Sequence, residues 1–122
     1  MISRKHRFHG YGSLRYVYQH GQTVRGPLCA IRYVGNPKRQ DYRLAVVVSK
    51  KVSKSAVKRN RIRRRLFEAV RLEAHQLKEP YDMVISVFSE QLTELPSADV
   101  RKMIRAQLKQ GRLVSSAKDR AI

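Results

Sequence analysis

The stretch from Arg43 to Leu66, RLAVVVSKKVSKSAVKRNRIRRRL, decides how this chain folds. It opens on an apolar run, Leu44 to Val48, rich in the β-branched residues that favour sheet. The continuity of that run predicts a strand over 43–49 covered on both faces, as at the centre of a sheet. Past Ser49 the period changes. Ser53 or Ser55 can cap a helix, which runs to about Leu77. Along it Ile62, Leu66, Ala69, Val70 and Leu77 fall within one apolar sector about 100° wide. Lys54, Lys58, Arg61 and Arg65 form a stripe beside that sector, and Asn60, Arg64 and Arg71 lie opposite it. Between strand and helix a further short strand over Lys50–Ser53 is an open alternative, which periodicity does not decide.

Upstream, Ser13 can cap a short helix in which Leu14, Val17 and Tyr18 share a face. His20-Gly21 closes it, with glycine as the expected left-handed residue. Residues 27–34, PLCAIRYV, read as a strand, and Asn36-Pro37 as a turn. Downstream, Pro80 ends the basic helix, and Tyr81–Phe88 reads as a strand, apolar on both sides at Met83-Val84-Ile85. Leu95-Pro96-Ser97 leads into a last helix with Val100, Met103, Ile104, Gln107 and Leu108 at helical spacing. Asp99 near its start and Arg105 and Lys109 near its end suit the helix dipole. Residues 1–12 read as a basic arm and residues 111–122 as a flexible polar tail. The order helix–strand–strand–helix–strand–helix predicts a single domain over 1–122, an α/β (α+β) two-layer sandwich with helices packed on a small sheet.

Charge narrows the function. The 122 residues carry 27 Lys+Arg against 9 Asp+Glu, a formal net charge of +18, yet 42% are hydrophobic, enough to build a core. Residues 1–65 hold 18 Lys/Arg and one acid, Asp41, net +17; residues 66–122 hold 9 and 8, net +1. Nine of the sixteen residues from Lys50 to Arg65 are Lys or Arg, with no acid among them. Like charges at i,i+4 on a helix repel by a few tenths of a kcal/mol per pair, a penalty that phosphate counterions would remove. Arginines favour forked phosphate contacts, so the expected partner is a nucleic acid. Asn60 among these arginines reads as a base or phosphate ligand, with a plain solvated residue as the lesser alternative. Phe8, Tyr11, Tyr16, Tyr18 and Tyr33, interleaved with Arg4, Arg7, Arg15 and Arg32, suit stacking of unpaired bases, although each also suits core packing.

Other classes fall away. No apolar run approaches the ~20 residues of a membrane span, and no apolar stretch follows the basic N-terminus as in a secretory signal. The single cysteine, Cys29, sits in an apolar run and reads as a small buried hydrophobe. A soluble, cytoplasmic protein is expected. Catalysis by side chains has little support. The basic half offers one carboxylate, too few for a two-metal nuclease centre, and the remaining acids are scattered among elements. His6, His9, His20 and His75 lack partner residues at catalytic spacing. No catalytic or metal-ligating residues are assigned.

The string Val57-Lys58-Arg59-Asn60-Arg61-Ile62-Arg63-Arg64 resembles the Arg-Asn-Arg motif of the bacterial ribonuclease P protein subunit. The resemblance extends over about residues 4–110: upstream to His6-Arg7-Phe8, Val17-Tyr18-Gln19-His20-Gly21 and the strand running into Ser49-Lys50-Lys51, downstream to Glu68, Arg71, Tyr81–Ile85 and the final helix. It implies a four-stranded sheet with a left-handed βαβ crossover through the basic helix. It also implies a protein that is probed by two RNAs, the catalytic RNA subunit and precursor tRNA, with Mg²⁺ held mainly by the catalytic RNA and the protein itself a monomer in the complex. That RNA hydrolyses the phosphodiester 5′ of mature tRNA. By the same resemblance Arg59, Asn60, Arg61, Arg63 and Arg64, assisted by Lys58 and Arg65, would face the catalytic RNA. Phe8, Leu14, Tyr18, Arg32, Lys50 and Lys51 would hold the single-stranded 5′ leader. This chain has Leu14 where the family usually places an aromatic, leaving more of the stacking to Tyr18, and Phe67 where a further Arg commonly follows. A ribosomal or rRNA-assembly protein and a stand-alone metal-dependent nuclease are the alternatives.

Overall fold

The computed structural model describes His6 and residues 11–114. In chain order its elements are α1 (Tyr11–His20), β1 (Gln22–Arg25), β2 (Cys29–Gly35), β3 (Arg43–Val47), α2 (Ala56–Glu73), β4 (Tyr81–Val87) and α3 (Ser97–Gln110). Short 3₁₀ turns follow α2 at Ala74–Gln76 and β4 at Glu90–Thr93. The strands form one mixed sheet in the order β1-β2-β4-β3. β1 with β2 and β2 with β4 are antiparallel, whereas β3 and β4 are parallel and α2 is the crossover between them. The fold is α+β, a four-stranded sheet with three helices.

Side chains alternate across a strand, so each sheet face draws on its own residues. Ile31, Leu44, Met83 and Ile85 point to one face, where Ile62, Leu66 and Val70 of α2 and Val100, Ile104 and Leu108 of α3 close the main core. Fully burying each such side chain is worth roughly 1.5–3 kcal/mol. Sheet, α2 and α3 are the two expected layers. On the opposite face, Val34, Ala45 and Val84 meet Leu14 and Val17 of α1. β4 is therefore the strand covered on both faces.

Several local expectations change. β3 is an edge strand and not central, and Val47, on the α1 side of the sheet, is 41% exposed. Residues 50–53 form a turn, with the amides of Val52 and Ser53 donating to the Ser49 carbonyl, and no strand. The fourth strand is instead β1, whose Gln-Thr-Val-Arg sequence turns only Val24 inward. α1 starts at Tyr11, so Ser13 lies inside the helix. α2 stops at Glu73, and Leu77 reaches the core from beyond the 3₁₀ turn. Gly21 is not left-handed. It is required by proximity, because a methyl there would lie 2.5 Å from the Val17 carbonyl oxygen and 2.9 Å from that of Tyr33. The chain also stays packed past Gly111: Leu113 and Val114 are buried, Val114 bridges Leu77, and Arg112 adopts the left-handed conformation at φ 61°. Residues 115–122, and most of the expected N-terminal arm, lie outside the described residues.

Candidate nucleic-acid interface

The first turn of α2 is ordered by its own serines. Ser55 is the N-cap, its hydroxyl accepting from the Lys58 amide at 3.2 Å, and the Ser53 hydroxyl accepts from the Ser55 amide at 3.3 Å. With the apolar sector turned to the sheet, the cations that follow divide by direction. Arg61 and Arg64 are exposed and make no hydrogen bond or ion pair with any described residue. Asn60 is exposed and accepts from Arg63 at 2.5 Å, so both are displayed together on the outer face. Arg59, half-buried, donates to the Ser53 carbonyl at 3.0 Å. Lys58 pairs with Glu90 at 3.1 Å, both half-exposed.

Arg65 is turned inward. Its guanidinium donates to the carbonyl of Leu92 at 2.6 Å and to that of Leu95, stapling the segment before α3 onto α2. Desolvation, then the neighbouring charge of Arg61, lowers its pKa, but a guanidinium keeps its proton throughout the physiological range. An open groove runs along α2 toward the start of α3, lined by Asn60, Arg61, Arg64, Glu68, Ala98 and Arg101. Phe67 is half-buried and packs against the main core.

A second group gathers around α1. Arg32, on the α1 side of β2, donates to the carbonyls of Val17 (3.2 Å) and Tyr18 and to the Thr23 hydroxyl (2.9 Å). It thereby satisfies the Tyr18 carbonyl at the end of α1 and adds a second donor to the Val17 carbonyl, which already accepts from the Gly21 amide at 2.8 Å. Tyr18 is 44% exposed and Leu14 half-buried. Lys50 and Lys51 are exposed in the turn that leaves edge strand β3, while β4 lies between that strand and the one bearing Arg32. Structure thus joins Tyr18 to Arg32 directly and sets the two lysines at the sheet's far edge. Phe8 lies outside the described residues. His6, the described part of the arm, stacks on Tyr42 (centroids 4.0 Å apart) and bonds its carbonyl through Nδ1 at 2.9 Å. Of the remaining aromatics, Tyr33 is a core residue, its hydroxyl donating to the Gly111 carbonyl at 2.8 Å with Gln22 Oε1 as the alternative acceptor at 3.1 Å. Not foreseen from sequence is Arg25, whose guanidinium lies 4.5 Å from the ring of exposed Phe88. Arg25 ends the four-residue strand β1, too short to show a period, and Phe88 lies just past the end of β4.

The acids are used internally. Asp82 receives a two-pronged Arg43 (2.7 and 2.8 Å) and Asn36. Glu73, 2% exposed, receives Arg101 and Arg105, and Glu68 pairs with Arg71 at 2.5 Å. Among the described residues no three His, Cys, Asp or Glu side chains come together to hold a metal ion, and no helix is long and apolar enough to cross a membrane. Burial pushes the Cys29 thiol up to about 11, outweighing a hydrogen bond to Gln107 that lowers it. It is an inert core thiol.

A mixed sheet backed by two helices, one of which turns outward arginines that no described residue pairs, defines a small α+β protein with a cationic helix face. Residues 2–112 match the Ribonuclease P family model, and the chain belongs to that family. The ribonuclease P protein component of Chloroflexus aurantiacus is 34% identical over 113 residues, covering 93% of this chain and 82% of the relative. The fold is that of the Staphylococcus aureus RNase P protein (TM-score 0.78, 19% identity, 90% of this chain and 98% of the other). It is equally that of the Thermotoga maritima protein (TM-score 0.75, 20% identity, 85% and 96%).

Proposed function

We propose that this protein is the RNA-binding partner of a catalytic RNA that removes the 5′ leader of precursor tRNA in the cytoplasm. The observation that carries the reading is the outer face of α2. There Arg61 and Arg64 stand, unpaired among the described residues, beside the Asn60–Arg63 pair, in a segment with no acid of its own. Lys58 and Arg59 extend this face, while Arg65 contributes by holding it in place. The leader would lie against α1 and the open sheet face, using Leu14, Tyr18 and, with the arm, Phe8. Arg32 shapes that site through its hold on α1, and Lys50 and Lys51 offer phosphate contacts at its edge. Mg²⁺ enters with the RNA, which performs the hydrolysis; the protein, one copy per complex, screens phosphate repulsion between the two RNAs. Each phosphate neutralised lowers log K by about 0.7–0.9 per log unit of salt.

The test incubates purified protein with precursor tRNA, with and without the ribonuclease P RNA, at physiological Mg²⁺. Stimulated cleavage only in the presence of that RNA is expected. Cleavage by protein alone, or no stimulation of the RNA, overturns the reading.

A further inference from the structure

Nine cations crowd residues 50–65, and among the described residues a single carboxylate reaches any of them. It is Glu90, from the 3₁₀ turn after β4. Its Oε1 lies 3.1 Å from Lys58 Nζ and accepts from the Ser53 hydroxyl at 3.3 Å. Ser53 is buried, and its position is set from three further directions. Its hydroxyl accepts from the Ser55 amide, its carbonyl from Arg59, and its own amide donates to the Ser49 carbonyl. One ammonium and one fixed hydroxyl thus converge on a single anionic oxygen at the edge of the exposed arginine face. That donor set is the one a phosphodiester oxygen takes. A carboxylate and a phosphate cannot both occupy it, since each carries a full negative charge and they would compete for the same ammonium.

We propose that Lys58 and Ser53 form a phosphodiester-binding point that Glu90 fills in the free protein and yields to RNA. Glu90 is then a specificity-determining residue. It discounts one phosphate contact, which weakens attachment to polyanions that do not also engage Arg61 and Arg64. This inference rests on the reading of α2 as the RNA face. It goes beyond that reading by assigning the opposing carboxylate a role in setting affinity.

The experiment measures binding of ribonuclease P RNA across a salt series for the full chain and for Glu90→Gln, Lys58→Gln and the double variant. Glu94→Gln serves as the control, an exposed acid of the same segment that makes no contact with the cations. Gln at 90 keeps an oxygen for the Ser53 hydroxyl, so folding is preserved. Expected is a several-fold gain in affinity at low salt for Glu90→Gln, with the salt slope steeper by about one phosphate's worth, 0.7–0.9. The gain should vanish when Lys58 is also Gln, and Glu94→Gln should give less than half of it. An equal gain for both acids, or one that survives loss of Lys58, overturns the proposal. Elution from heparin is read in parallel. There a later-eluting Glu90→Gln, again dependent on Lys58, supports the anion point even if ribonuclease P RNA is not the partner. Identical elution of the wild-type and Glu90→Gln proteins counts against it.

Discussion

Arg64 and Arg65 are neighbours in sequence with opposite uses. One step along a helix rotates a side chain by about 100°, which carries Arg64 into solvent and Arg65 onto the carbonyls of Leu92 and Leu95. Replacing Arg65 by Met strands two carbonyls in a half-buried setting and removes charge-assisted bonds. A loss of about 2 kcal/mol in urea unfolding is expected. Arg64→Ala should leave stability within about 0.5 kcal/mol, while weakening RNA binding and flattening its salt dependence. Read from the sequence, both arginines were RNA ligands. The difference is invisible there because the residues 89–96 that cover Arg65 come from 30 positions downstream. Gly21 shows the same thing from the other side. Its glycine was foreseen, but for a left-handed turn; the operative constraint is two backbone carbonyls, one of them from β2. Gly21→Ala should cost about 1–3 kcal/mol, seen as a lowered melting temperature, even though alanine restricts the unfolded chain more than glycine does.

Among elements, the packing of α2 on α3 depends on Glu73, which receives both Arg101 and Arg105. Burial pushes this carboxyl up, but the hydrogen bonds and charges of Arg105 and Arg101 outweigh it and hold the pKa below the ordinary value of 4.5. A carboxyl whose folded pKa is depressed adds stability above its unfolded pKa and loses it as pH falls through the folded one. Glu73→Gln should therefore destabilise by about 2 kcal/mol at pH 7, and the gap between variant and parent should narrow once pH falls below 4.5 and on through the depressed folded pKa. Denaturant midpoints across the acid range up to about pH 7 test this; a gap that does not narrow as pH falls would mean the carboxylate's charge is not what matters. Elements with a strong period were legible: α2, α3 and β4 stand within a few residues of their expected bounds. β1 was not, because a four-residue strand with one inward side chain has no period to detect. β3's place was misread because its apolar run suggested two covered faces, whereas α1 extends only over Ala45 and leaves Val47 partly open.

For the whole molecule, the net charge of +18 acts on folding and on binding in opposite directions. Repulsion among the excess cations destabilises the free fold, and salt screens it over about 10 Å at 0.1 M. Raising NaCl from about 20 to about 200 mM should raise the melting temperature by a few degrees while RNA affinity falls steeply. A melting temperature that falls over the same range would show that internal ion pairs such as Arg43–Asp82 dominate the balance. By itself the sequence determined that this is a basic α+β fold, that its charge lies in the first 65 residues, and which helix displays it. Composition and a 3.6-residue period are local properties that survive without a fold. Tertiary structure alone decided which cations remain free. A side chain's partners come from distant segments, so Arg65 is taken by the carbonyls before α3, Arg32 by the end of α1, and Lys58 by Glu90. Arg61 and Arg64 are left facing outward because, among the described residues, no other element gives either side chain a hydrogen bond or ion pair.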